Sequence, residues 1–263
     1  MKPNDKVLRP VHPNAGIEAE YRKRLKRMIA EMQASVVQRL TAVYQNNEPL
    51  IAQDDVTVPA DKLQAAMTAL AAEWQERFDA GSQHLATWFA QKTKSYTDGT
   101  LHNILRDSGF AVPFNVTDTL KDAYSAVAHE QVGLIKSIAS EHLQEVQGLV
   151  MRSVQQGRNL GDLTADLKKR YGITNRRAAL IARDQNNKAT ATIARVRQKE
   201  LGITQAVWKH SHAGKHPRPS HLKADGELYD IDKGMYLDGK WVWPGTEINC
   251  RCVSRPVIKG FLD

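Results

Sequence analysis

From Ile17 to about Tyr44, apolar residues recur three and four positions apart, at Leu25, Met28, Ile29, Met32, Val36, Leu40 and Val43. That period is the stripe of an amphipathic helix. The Asn46-Asn47-Glu48-Pro49 cluster ends it, and a short loop or strand follows through Val58. Pro59-Ala60-Asp61 opens a second helix, with Leu63, Met67, Leu70, Trp74 and Phe78 on one stripe. Gly81 permits a bend before a helix bearing Leu85, Trp88 and Phe89. Asp98-Gly99 reads as a turn, and Ser108-Gly109 with Pro113 as another break. Thr117-Asp118 is an N-cap for a helix using Leu120, Tyr124, Val127, Leu134, Ile135 and Ile138. The pattern reaches Met151, although Gly133 and Gly148 argue against one unbroken rod. A short helix over Leu160, Leu163, Leu167 and Tyr171 closes at Gly172; Thr174 then caps a longer one from Asn175 to about Leu201, ended by Gly202.

After Gly202 the texture changes. Ile203–Trp208 is rich in strand formers, and Cys250–Ile258 reads as a closing strand. Met235-Tyr236-Leu237, Asp238-Gly239 and Lys240-Trp241-Val242-Trp243 describe a hairpin about an Asp-Gly turn. The expected fold class is a mainly α N-terminal region followed by a small α+β C-terminal module. The expected division is an extended arm over 1–16, a helical region over 17–170 and the α+β module over 171–263.

Composition narrows the function classes. The chain of 263 residues is 41% hydrophobic and 25% charged, ordinary values for a globular protein. No run of about 18 apolar residues is present, so no membrane partner is expected. The start lacks the apolar core of a secretory signal, and two cysteines do not make a disulfide framework, which points to a reducing cytoplasm. The net charge of +8 is unevenly spread: residues 168–199 hold ten basic side chains and one acidic, whereas 41–150 hold seven basic and fourteen acidic. Such a basic zone raises the odds of a polyanionic partner without specifying a sequence.

The most distinctive pieces lie late in the chain. They are Ala178-Ala179-Leu180-Ile181-Ala182-Arg183-Asp184, Trp208, Pro217-Arg218-Pro219-Ser220-His221, Asp225-Gly226, Pro244-Gly245 and Asn249-Cys250-Arg251-Cys252. In this order and spacing, over roughly residues 171–258, the chain resembles the phage Mu F-type, or head-morphogenesis, family of minor head proteins of tailed bacteriophages and prophages. The resemblance implies a low-copy structural protein, not an enzyme. It would work in the host bacterial cytoplasm during assembly and reside in the virion head at the portal vertex. Its implied partners are the portal protein or the inner capsid surface, and some relatives bind DNA. Two departures stand out. Many relatives carry a Cys-x-x-Cys pair ahead of the Asp-Gly, where this chain has His216 and His221. Many also have His-Pro before the Asn-Cys string, where this chain has Glu247-Ile248.

Three chemistries compete for these residues. His216, His221, Cys250 and Cys252 supply two nitrogen and two sulfur ligands, the set a structural zinc takes. The simpler reading, which the Cys-x-Cys spacing favours, has Cys250 and Cys252 as small buried hydrophobes on the inner face of a strand, with no cofactor. His221 with Asp225, Glu227 and Cys250 can be drawn as an acid–base or Cys–His cluster. Lys223-Ala224-Asp225-Gly226-Glu227 reads more simply as a turn, so no catalytic residue is assigned.

Binding candidates lie on basic helical faces: Arg22, Lys23 and Arg24 near the start, and Arg176, Arg177, Arg183, Lys188, Arg195 and Lys199 on the last long helix. Such charges would meet duplex DNA through its backbone, without base specificity. Solvated faces, or pairing with the chain's own acidic middle, are the competing readings. A minor head protein is therefore the expected function. A metal-dependent hydrolase or nuclease delivered with phage DNA, and a free nucleic-acid-binding protein, are the alternatives.

Overall fold

In a computed structural model, residues 4–45, 59–156, 160–212, 214 and 216–260 are described. The Asn46–Pro49 stop and the segment through Val58 lie outside them. Four long helices, α1 (Ala15–Gln45), α2 (Pro59–Asp107), α3 (Asp118–Gln155) and α4 (Leu160–Glu200), precede most of the strands. One short strand, β1 (Lys6–Val7), comes first; β2 (Gln205–Lys209), α5 (Pro219–Lys223), β3 (Leu228–Asp230), β4 (Met235–Leu237), β5 (Lys240–Val242) and β6 (Val253–Ile258) follow. The fold is thus mainly helical with a small C-terminal sheet module. No helix among the described residues is long and apolar enough to cross a membrane.

The helices run further than their glycines suggest. Helix α2 passes through Gly81 and the Asp98-Gly99 pair, and α4 passes through Gly172 and Thr174. Side chains expected to terminate these helices are engaged elsewhere. Asp98 accepts hydrogen bonds from Lys94, one turn back, and from Arg197. Thr174 donates to the carbonyl of Arg170, in the preceding turn of the same helix. A glycine inside a helix costs about 1 kcal/mol, and burial along each stripe outweighs that.

The chain divides into two compact units. Glu20–Ala86 and Glu130–Ile181 make up an all-helical one. Its interior holds Tyr21, Leu25, Ile29, Met32, Val36 and Leu40 of α1, with Leu63, Met67, Leu70 and Phe78 of α2. Two buried polar contacts tie it together: the Tyr21 hydroxyl donates to Gln131 Oε1 at 3.0 Å, and His142 Nδ1 lies 2.9 Å from Thr174 Oγ1. Burial and the Arg170 charge hold the His142 imidazole down to about 4.

The other unit is formed by Met1–Ala19, Thr87–His129 and Ala182–Asp263. Its antiparallel sheet has the order β1-β6-β2-β3, with Lys6 opposite Ile258 and Ala206 opposite both Pro256 and Tyr229. Alternation along β2 sends Ala206 and Trp208 inward. Around them pack Ile203, Tyr229, Ile231, Val242 and both cysteines. Leu8 and Val11, flanking β1's exit, join Leu101, Ile104, Leu105 and Ala194 in a second cluster. Strands β4 and β5 form the expected hairpin, with Asp238 at φ 50° and Gly239 at φ 84° in its turn. Two consecutive positive φ values are what a two-residue type I′ turn requires.

Candidate metal centre

The late motifs converge inside the second of these units. The Asp225-Gly226 turn closes the end of β2: Gly226 N–H donates to the Trp208 carbonyl, and Trp208 N–H donates to that of Glu227. Asp225 is occupied structurally. Its Oδ1 accepts the His210 backbone N–H at 2.9 Å, and its Oδ2 lies 2.9 Å from His212 Nε2 and 3.1 Å from Lys209 Nζ. Burial works to raise this carboxyl, and those bonds outweigh it, drawing it down to about 2.

The Asn249–Cys252 string is strapped to α4. Arg183 Nη2 donates to Asn249 Oδ1 at 2.7 Å, Asn249 N–H donates to Asp184 Oδ1 at 3.1 Å, and Asn187 Nδ2 donates to the Cys250 carbonyl at 3.0 Å. Ahead of the string, Gly245 has φ 83°, and a Cβ there would sit 3.1 Å from both Ala191 Cβ and the Cys252 carbonyl. Only glycine lets the loop lie this close to α4. The Ala-Arg-Asp run of α4 and the Pro-Gly and Asn-Cys motifs are therefore parts of one lock.

Helix α5 starts with Pro219 at its first position and carries His221, which is buried. Arg218 Nη2 donates to the Ile248 carbonyl at 2.9 Å, tying α5 to the same string. His221, Cys250 and Cys252 come together there, each about 3% exposed, with their ligand atoms all within 4.8 Å of one another. His221 Nδ1 is 3.5 Å from Cys250 Sγ and 3.7 Å from Cys252 Sγ. The ring packs edge-to-face on Trp208, with centroids 5.1 Å apart. Both thiols are free of disulfide. His216 is exposed and outside the cluster. Both cysteines precede β6, which begins at Val253, so they do not sit on the inner face of a strand as expected.

The two sulfurs are inequivalent. The Cys252 thiol, against the opposing effect of burial, stabilises a thiolate at Cys250 together with His221 and the N–H groups of Cys252 and Gly245, so Cys250 lies well below the ordinary thiol range. Cys252 is pushed the other way by the Cys250 sulfur and by burial.

The basic positions have varied surroundings. Arg177 Nε lies 3.1 Å from Glu141 Oε2, Arg24 Nε lies 2.8 Å from Glu20 Oε1, and Arg183 bonds Asn249. Arg195 stacks on the Trp243 ring, 4.0 Å from its centroid, and Lys199 pairs with Asp232. Arg22 and Lys188 are half-buried, while Lys23 and Arg176 are exposed. Gly245 and Trp208 stood among the sequence motifs, whereas Asn187 and the packing of Trp208 on His221 carried no such mark. Its place one helical turn beyond Arg183-Asp184 was the available signal for Asn187.

Residues 144–255 match the family model described as "Phage Mu protein F like protein", the family the late motifs resemble. The match contains α5, both cysteines and the α4 residues that hold them. A protein of Haemophilus influenzae (strain ATCC 51907 / DSM 11121 / KW20 / Rd), described as an uncharacterized protein, is 28% identical over 263 residues. The alignment covers 98% of this chain, which spans 57% of that relative's length. No solved structure matches the chain.

Proposed function

We propose that the protein acts in head morphogenesis of a tailed bacteriophage or prophage, as a minor head component that docks on the portal protein or the inner capsid surface. The observation that carries this reading is the family match over 144–255, because it falls on the segment with the α4–string lock and its buried cluster. The geometry favours a structural role over catalysis. Asp225, the carboxylate that could be drawn beside His221, is committed to His210, His212 and Lys209. His221 and both cysteines are buried, whereas a hydrolytic nucleophile must meet its substrate.

Protein docking is favoured over DNA as the main contact. Arg24, Arg177, Arg183 and Lys199 already hold partners within the chain. A phosphate backbone would have to compete for them. Any contact with packaged DNA falls first to Lys23 and Arg176, which are exposed.

Co-sedimentation with purified phage heads tests the reading. The protein is expected in the head fraction at low copy, in proportion to the portal. Its absence from heads, in a lysate that contains both, overturns the proposal. Cleavage of DNA that needs a divalent metal and disappears in His221→Ala would instead support a nuclease.

A further inference from the structure

We propose that His221 Nδ1, Cys250 Sγ and Cys252 Sγ bind one soft divalent transition-metal ion, zinc foremost, with an exogenous ligand such as water completing the site. This goes beyond the head-morphogenesis reading and does not depend on it.

Zinc takes imidazole nitrogen at about 2.0 Å and thiolate sulfur at about 2.3 Å in a tetrahedron, so the N···S edge of such a site is about 3.5 Å. The two edges from His221 Nδ1 are 3.5 Å and 3.7 Å. Both nitrogen–sulfur edges thus already stand at nearly the separation that a shared ion demands, and the two sulfurs lie within 4.8 Å of each other.

Gly245 N–H donates to Cys250 Sγ at 3.3 Å. Backbone N–H donors aimed at sulfur stabilise thiolate, the form that binds metal. Cysteines serving only as small buried hydrophobes have no use for them. A lone buried anion is costly, but two thiolates with a divalent cation are neutral together, which removes most of that cost.

The His221 ring is almost wholly buried, and its Nδ1 faces the two sulfurs. Its orientation is set by Trp208 on one side and by the Arg218 tie to Ile248. The ligand is therefore preorganised by packing that does not involve the metal. Two sulfurs and an imidazole select zinc or cobalt over magnesium or calcium, which prefer oxygen. Among the described residues, no fourth histidine, cysteine or carboxylate joins the three. The site would staple α5 to the turn before β6.

Cobalt(II) titration of the full chain, prepared free of metal with the thiols reduced, tests this. One equivalent is expected to bind, with the thiolate-to-cobalt charge-transfer band in the near ultraviolet and the visible bands of a tetrahedral ion. Zinc is expected to displace it stoichiometrically. His216→Ala is expected to keep the spectrum. Cys250→Ala, Cys252→Ala and His221→Asn are each expected to weaken binding by more than about tenfold, since losing even an outer partner costs 10–100-fold. Circular dichroism of each metal-free variant checks that it is folded. Folded wild-type protein that shows no charge-transfer band overturns the proposal whatever the variants do. Loss of binding in folded His216→Ala overturns the three-residue ligand set.

Discussion

The guanidinium of Arg197 grips the carboxylate of Asp98 through two parallel hydrogen bonds, Nε to Oδ1 and Nη2 to Oδ2, each 2.8 Å long. Its third nitrogen, Nη1, donates to the Asn115 carbonyl at 2.6 Å and to Glu200 Oε2 at 2.9 Å. The arginine side chain is 3% exposed and also stacks on Phe114. An arginine from the most basic stretch of the chain is thus fully consumed inside the fold.

Asp98→Asn is expected to destabilise the protein by about 1–3 kcal/mol, because it leaves Glu200 as the one carboxylate on a buried guanidinium and sets an amide against one of its N–H groups. Urea unfolding of the variant measures this. Arg197→Lys should fail to rescue function of the pair, since one ammonium cannot span both carboxylate oxygens and reach Asn115 and Glu200 as well. Wild-type stability in Asp98→Asn would show that the network contributes little.

His142 predicts an acid-labile helical unit. The folded imidazole stays neutral down to about 4, below its ordinary 6.5, owing to burial and then to the Arg170 charge. Between those values the unfolded chain binds the extra proton, so stability falls as pH drops through that window and is unaffected above it. The full loss is about 3 kcal/mol from this one group. In His142→Gln the pH dependence between 6.5 and 4 should flatten. An unchanged slope in thermal melts would assign the lability to other groups.

Gly234 is expected to tolerate no side chain. It has φ 83°, and a Cβ would stand 2.6 Å from the Val242 carbonyl oxygen. Gly234→Ala should cost about 2–3 kcal/mol from strain and clash together. A melting temperature equal to wild type would refute that cost.

Asn187 offers a test of the α4 lock that leaves every proposed ligand in place. Its amide holds the Cys250 carbonyl at 3.0 Å, so Asn187→Ala should loosen the string. Cobalt affinity is then expected to fall by about tenfold. The charge-transfer band at saturation should stay unchanged, because both sulfurs remain. Loss of the band itself would mean that Asn187 does more than position the string.

Much of the architecture is legible in local pattern. The stripe from Leu25 to Leu40 is buried as its spacing requires. The Asp238-Gly239 hairpin forms because that pair accepts two positive φ angles. Helix ends were less legible. Gly81 looks like a breaker, yet a Cβ there would approach Met28 Cε to 3.3 Å, so the glycine makes room for a neighbour inside a continuous helix. Thr174 looks like a cap, yet its hydroxyl bonds the Arg170 carbonyl and the His142 ring. Both residues answer to partners distant in the chain, which a local window does not contain.

The chain by itself determined the helical stripes, the change to short strands after Gly202 and the Asp-Gly hairpin. Each rests on interactions among residues close in sequence, whose periodicity and turn chemistry are local. Tertiary structure decided the rest. It placed Lys6 opposite Ile258, turned Arg183, Asp184 and Asn187 onto the string, and separated His221 from His216. Spacing alone presented both histidines as equals. Burial against Trp208 and the hold of Arg218 on Ile248 set His221 beside the sulfurs, while His216 stays exposed.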